Sequence, residues 1–342
     1  EITESAVMKD AGAALTTLGR KLAYFNNYTP YQAINLYITD GTTDDFIYGN
    51  LGVASYTFEL GTNFFQDCGS FENTILPNNL PALVYAAKAA RTPYLTPAGP
   101  ETINVAAIPG VVSPGDLVDL TATLNDARFN NSQGTEPTQN IAAGEYYIDV
   151  PPWGTVPVPH VMAPSDGNFN SPIEGATATL DTTGLSNGQH ILYVRGRDAL
   201  DNWGPVSAVF ITIIDPDVAP TIEGYVREAG TNLPLDATVT AFGPFITNTD
   251  PATGFYQMRV ISGTYDLTAS ASGHGSQTVT GIVAEDYQTV QQDFSLYPTC
   301  EAFSDTVEGG TNGWTAQPPW AITTEASHSP THSWTDSPGG NY

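Results

Sequence analysis

Glu59 closes a run of apolar and hydroxyl residues, Val53-Ala54-Ser55-Tyr56-Thr57-Phe58, immediately before Leu60-Gly61. Desolvating a carboxylate costs roughly several kcal/mol unless it is paired or wet. A carboxylate at the end of a buried strand is therefore expected to have a partner: a metal, a water or a substrate. Thr57 lies two residues earlier and, with the period of two of a strand, shares the face of Glu59. Tyr37 stands 22 residues before Glu59, and Asp44-Asp45 follow Gly41, where aspartate also serves as a turn cap.

Other residues of chemical interest form no comparable set. The five histidines, His160, His190, His274, His328 and His332, show no His-x-x-Glu spacing. His328 and His332 are four apart, but Pro330 lies between them and the stretch reads as a loop. The two cysteines, Cys68 and Cys300, make neither a disulfide framework nor a zinc cluster. Cys68 reads as a small buried hydrophobe or as half of a bridge. "DALDNWGP" and "DPD" offer oxygens without a recognisable calcium register, so turn chemistry is the reading. The five tryptophans read as core and turn packing ahead of a carbohydrate-stacking face.

The elements that would position these residues change character along the chain. Residues 3–25 carry apolar side chains at helical spacing, and Pro30 biases its predecessor away from helix. Residues 33–39 and 52–60 read as extended, and Asn79–Arg91 as a second helix. Helix, strand and helix with long loops between is an α/β pattern, ending near residue 98. From there short β-branched runs alternate with Gly-, Pro-, Asn- and Asp-rich turns, which is the pattern of antiparallel sandwiches.

The stretch "LYITDGTTDDFIYGNLGVASYTFELG" resembles the C-terminal half of zinc carboxypeptidases of the carboxypeptidase A, B and T kind, and the order of elements over residues 1–98 matches. The resemblance implies roles by position. Glu59 falls on the catalytic glutamate, which takes a proton from a zinc-bound water and delivers it to the leaving amine. Tyr37 falls on a mobile tyrosine that closes over the substrate. Asp44 falls at the bottom of the specificity pocket, where a carboxylate favours Lys or Arg, and Thr57 lines that pocket. Phe46 departs from the family pattern, in which a Trp is common. The family's zinc ligands and its substrate-carboxylate grip precede the segment matched here. The cofactor is therefore zinc held by preceding sequence, no metal ligand is assigned in this chain, and the chain alone is expected to be inactive.

The expected fold is multidomain: a partial α/β carboxypeptidase domain followed by all-β sandwich modules. Residues 1–98 form the first part. Residues 99–215 form an immunoglobulin- or fibronectin III-like sandwich, which "GQHILYVRGRDALDNWGP" resembles. Residues 216–298 resemble the carboxypeptidase regulatory-like, transthyretin-like sandwich. Residues 299–342 resemble the start of a jelly-roll module, too short to bury a core. The helical opening and the unterminated "SPGGNY" end are expected to continue beyond both ends of the chain.

Ten Lys and Arg against 36 Asp and Glu give a net charge of −26, which repels phosphate backbones and excludes nucleic acid as a partner. No apolar run is long enough to span a bilayer. The composition suits a secreted protein in a saline medium, or one that collects cations. The expected function is release of C-terminal residues, basic or mixed, from extracellular peptides and proteins, with the β modules free to bind cell-surface or polysaccharide ligands. The competing expectation is a secreted adhesion protein with a degenerate peptidase module.

Overall fold

The computed structural model describes residues 6–32, 35, 41–299, 307–311, 313–324 and 331–336. The chain is mostly β-sheet with few helices. It divides into two compact units. The first runs to Ile222 and adds Arg259–Thr264 and Val283–Val290; the second comprises Glu223–Met258, Tyr265–Ile282 and Gln291 onward.

The first unit opens with α1 (Ala6–Asn26). Its Leu18 and Leu22, one turn apart, are buried against Ala82, Tyr85 and Ala89 of α4 (Leu76–Ala89). α1 stops where Asn27 turns left-handed (φ 56°), a conformation asparagine tolerates. α2 (Thr43–Leu51) lies between them and buries none of its residues. α4 is preceded by α3 (Cys68–Ser70), capped by Asp67, and a π-helical turn at Phe71–Ile75. The helical segment therefore begins well before the predicted Asn79. Pro77 follows the π-helical turn directly and Pro81 lies inside α4, yet the helix continues past both to Ala89.

Before Glu101 the described residues contain no strand. Residues 52–60, predicted as extended, have no ladder partner among the described residues; Ala54, Tyr56 and Phe58 pack on the α1–α4 cluster. The predicted 33–39 segment lies, apart from Asn35, outside the described residues. Cys68 is an exposed free thiol and not a buried hydrophobe; Cys300 and His328 lie outside the described residues.

After Glu101 the first unit becomes a β module. Its strands are β1 (Glu101–Ile108), β2 (Val111–Val112), β3 (Leu117–Asn125), β4 (Ile141–Ile148), β5 (His160–Pro164), β6 (Ile173–Asp181), β7 (Gly188–Asp198) and β8 (Ser207–Ile213). They follow the order β1-β3-β6-β5-β4-β7-β8-β2. β5 changes partner midway: His160–Met162 pair with β4, and Ala163–Pro164 with β6. The path thereby folds into two layers over one core, to which Leu120, Leu124 and Leu180 contribute from one side and Ile141, Leu192, Val194 and Ile211 from the other. Strict alternation produces this: Val118, Leu120, Ala122 and Leu124 are buried while Leu117, Asp119 and Thr121 face out. Gly99 and Gly204 meet backbone to backbone where the helical part passes into β1, and a Cβ on Gly204 would fall inside the Pro100 carbonyl.

In the remaining chain the strands are β9 (Thr221–Glu228), β10 (Ala237–Ala241), β11 (Ile246–Asn248), β12 (Phe255–Arg259), β13 (Gly263–Ala271), β14 (Gln277–Ala284), β15 (Thr289–Gln291) and β16 (Phe294–Leu296). One sheet has the order β11-β10-β13-β14, and β16 runs parallel to β9. Val226, Val239, Leu267, Tyr256 and Phe294 are buried here. Two short strands, β17 (Ala321–Thr323) and β18 (Ser333–Thr335), pair antiparallel nearer the C-terminus.

Candidate functional site

The first turn of α2 separates the two adjacent aspartates by role. Thr42 is the N-cap: its hydroxyl accepts from Asp45 N, and Thr42 N donates to Asp45 Oδ2, both at 3.2 Å. This capping box occupies Asp45. Asp44 is turned the other way, towards the segment that follows the helix. Ser55 Oγ donates to its Oδ1 at 2.7 Å and Thr57 Oγ1 donates to its Oδ2 at 2.6 Å.

That segment is brought back by Gly52, left-handed at φ 65°, whose N–H closes on the Tyr48 carbonyl. Tyr94 Oη donates to the Gly52 carbonyl at 2.6 Å. From there the side chains alternate. Ala54, Tyr56 and Phe58 pack on α1 and α4, and Tyr56 Oη donates to the Leu15 carbonyl at 2.7 Å. Burial holds the Tyr56 phenol far above the ordinary range, so it stays protonated and keeps its donor for Leu15. Ser55, Thr57 and Glu59 take the intervening positions. Beyond Glu59, Gly61 N donates to Tyr28 Oη, which also accepts from Asn79 Nδ2 (3.2 Å each), and Asn79 is bonded to Asn26. Tyr28, just past the end of α1, thus fixes the far end of the segment and is itself held by Asn79 of α4.

Glu59 is exposed, with no hydrogen-bond partner among the described residues. The expectation of a buried strand end is corrected here: among the described residues no sheet covers 52–60, and the carboxylate is exposed. Asp44 and Thr57 are brought into direct contact. Tyr37 lies outside the described residues. Phe46, in α2, is exposed.

An aspartate whose two oxygens each accept one hydroxyl keeps lone pairs for a further donor, so it can receive a cationic side chain in a fixed orientation. A solvated glutamate can accept a proton from water or deliver one to an amine. Metal chemistry needs a different donor set, and among the described residues no group of three or more His, Cys, Asp and Glu side chains is placed to hold an ion. The described histidines are engaged elsewhere. His160 stacks on Tyr146, His190 bridges Asp149 and the Ser186 carbonyl, His274 meets Glu228, and His332 meets Glu308. The zinc implied by the resemblance therefore finds no fitting site among the described residues.

Sequence reasoning missed Ser55, the second hydroxyl on Asp44. Its signal was present, since it shares the face of Thr57 and Glu59. Tryptophans in the β module serve as platforms for arginine: Arg195 lies 4.0 Å from the centroid of Trp203, and Arg91 lies 4.9 Å from that of Trp153.

No family model matches the chain. It is 46% identical over 48 residues to a zinc carboxypeptidase of Saccharothrix mutabilis subsp. capreolus, a match covering 14% of this chain and 11% of that protein. Among solved structures, similarity is found to the Coh3ScaB-XDoc complex of Acetivibrio cellulolyticus (16% identity, 23% of this chain and 58% of that one, TM-score 0.20). The major pilin subunit BcpA of Bacillus cereus is 10% identical over 58% of this chain and 71% of its own, with a TM-score of 0.20. The Bacillus anthracis TIE protein is 10% identical over 94% of this chain and 62% of its own, with a TM-score of 0.22. TM-scores this low carry no argument. Among the described residues no helix is long and apolar enough to cross a membrane.

Proposed function

We propose that the residues before Glu101 are the C-terminal part of the α/β catalytic domain of a secreted zinc carboxypeptidase, carried with β-sandwich modules on one chain. In the intact protein, zinc held by ligands elsewhere in the sequence would activate water and polarise the scissile carbonyl. The residues of this chain have separate duties. Glu59 accepts a proton from water and returns it to the departing amine. Asp44, oriented by Ser55 and Thr57, receives the basic side chain of the terminal residue. Tyr37 closes over the bound end of the peptide. On this reading the family's metal ligands precede the matched stretch, and the chain by itself is inactive.

Support comes from the contact of Asp44 with Ser55 and Thr57 inside a stretch that resembles the family, together with the 48-residue similarity to a zinc carboxypeptidase. The test is to express the intact protein and follow release of C-terminal amino acids from peptides ending in Arg, Lys or Leu, with and without a zinc chelator. Chelator-sensitive release, fastest for Arg and Lys, is the expected result. No release from any peptide by intact, zinc-supplemented protein would overturn the reading in favour of adhesion through the β modules.

A further inference from the structure

Helix α1 is held on two sides. One side carries the candidate site: Leu18 and Leu22 support Ala54, Tyr56 and Phe58, Tyr56 bonds the Leu15 carbonyl, and its ring lies against Gly19, where an added Cβ would meet it at 3.5 Å. The other side is gripped by the loop between β3 and β4, residues 126–139, which belongs to the β module.

The grip has three parts. Glu136 accepts from Thr17 Oγ1 on one carboxylate oxygen (2.6 Å) and from Arg20 Nη1 on the other (2.5 Å), while Arg20 Nη2 donates to the Gln133 carbonyl at 2.8 Å. Asn130 donates through its backbone N to the Arg20 carbonyl (2.9 Å) and through Nδ2 to the Ala23 and Tyr28 carbonyls (3.2 and 3.1 Å). Arg20 and Ala23 lie in the last two turns of α1 and Tyr28 just past its end, so Asn130 ties the end of the helix and the turn after it to another part of the chain. Its own Oδ1 accepts from Ser132 N, which fixes the amide. Finally, Lys21 Nζ sits 3.9 Å from the centroid of Phe129, and Arg128 stacks over Tyr24 and Phe25.

We propose that this loop is a clamp that holds α1 in place beneath the segment carrying Asp44's partners and Glu59, so that the β module is a working part of the site's scaffold and not a spacer. A tethered spacer would need no amide tie, no ion pair and no cation–ring contact with the helix. Here all three converge on residues 17–28.

Hydrogen exchange on the full 342-residue chain tests this, comparing wild type with N130A, E136A and E136Q. Local opening is read amide by amide. Loss of a charge-assisted pair or of the Asn130 amide bonds is expected to raise exchange about tenfold or more in residues 15–26 and, through Leu18 and Leu22, in residues 54–58, with β3 and β7 unchanged. E136Q keeps an acceptor for Thr17 and retains part of the protection. Unchanged exchange in α1, or a rise shared equally by β3 and β7, overturns the clamp. The readout needs no catalysis, so it stands whether or not the intact protein is a peptidase.

Discussion

Thr57 donates its hydroxyl to Asp44 at 2.6 Å, joining the first turn of α2 to the alternate face of the segment that ends in Glu59. With Ser55 on the other oxygen, the carboxylate is presented in one orientation. A hydrogen bond to a charged acceptor contributes about 1.5–3 kcal/mol. In the intact protein, Asp44→Asn is expected to lower the ratio of kcat/KM for Arg- over Leu-terminated peptides by roughly ten- to a hundredfold. Thr57→Val should move the same ratio in the same direction by less. An unchanged ratio in Asp44→Asn would remove this residue from specificity.

Glu59 is exposed, and exposed positions away from caps and pairs tolerate substitution within about 0.5 kcal/mol. Glu59→Gln should leave the unfolding midpoint where it is while lowering kcat of the intact protein by roughly 10²–10⁴-fold. Both quantities are needed, because a fall in activity that tracks a fall in stability would point to a structural role. Full activity in Glu59→Gln would end the assignment.

The β module was legible because its strands alternate: the buried positions of β3 and β7 follow directly from period two. α2 was not, because it buries no residue and so shows no apolar period; only its cap, Thr42 with Asp45, and Gly52 at its end marked it. Glu59 was read as the end of a buried strand because Val53–Phe58 has strand composition, yet composition does not supply the neighbouring strands. Ser55 was legible from its face. The 126–139 loop was invisible, since Arg128, Asn130 and Glu136 follow no period and take meaning only from the helix they grip.

His190 is buried in the β module with both ring nitrogens occupied, Nδ1 by Asp149 Oδ2 at 2.7 Å and Nε2 by the Ser186 carbonyl at 2.8 Å. Burial alone would lower its pKa; the Ser186 carbonyl and the Asp149 carboxylate outweigh this, and the net shift is upward from 6.5. The folded state therefore holds the proton more tightly than the unfolded chain. Its contribution is complete below about pH 6.5 and is lost as pH rises through the raised value. Urea midpoints measured across this range should fall with pH in the wild type. The slope should flatten in His190→Gln, and an identical slope in that variant would assign the effect to another group.

Lys21 has the opposite sign. It is 0% exposed, and its ammonium makes no hydrogen bond to the described residues. Around it stand Asp126, Glu101, Arg128 and Glu136; Arg128 Nε and Glu101 Oε2 are 2.8 Å apart, but out of line for a hydrogen bond. Burial lowers the Lys21 pKa from 10.5 to about 8, against the pull of Asp126 and Glu101. Between those values the unfolded chain binds the proton and the folded one does not, so stability rises with pH from about 8 to 10.5. Asp126 is pushed up from 3.8 to about 6, chiefly by burial, so over that lower window stability falls as pH rises. The two slopes leave the junction of α1 with the β module weakest between about 6 and 8, where both groups are charged. Lys21→Met should abolish the alkaline rise, and Asp126→Asn the acid-side fall, in denaturation curves of the full chain. If Lys21→Met retains the alkaline rise, the lysine titrates at its ordinary value, and burial does not govern the junction.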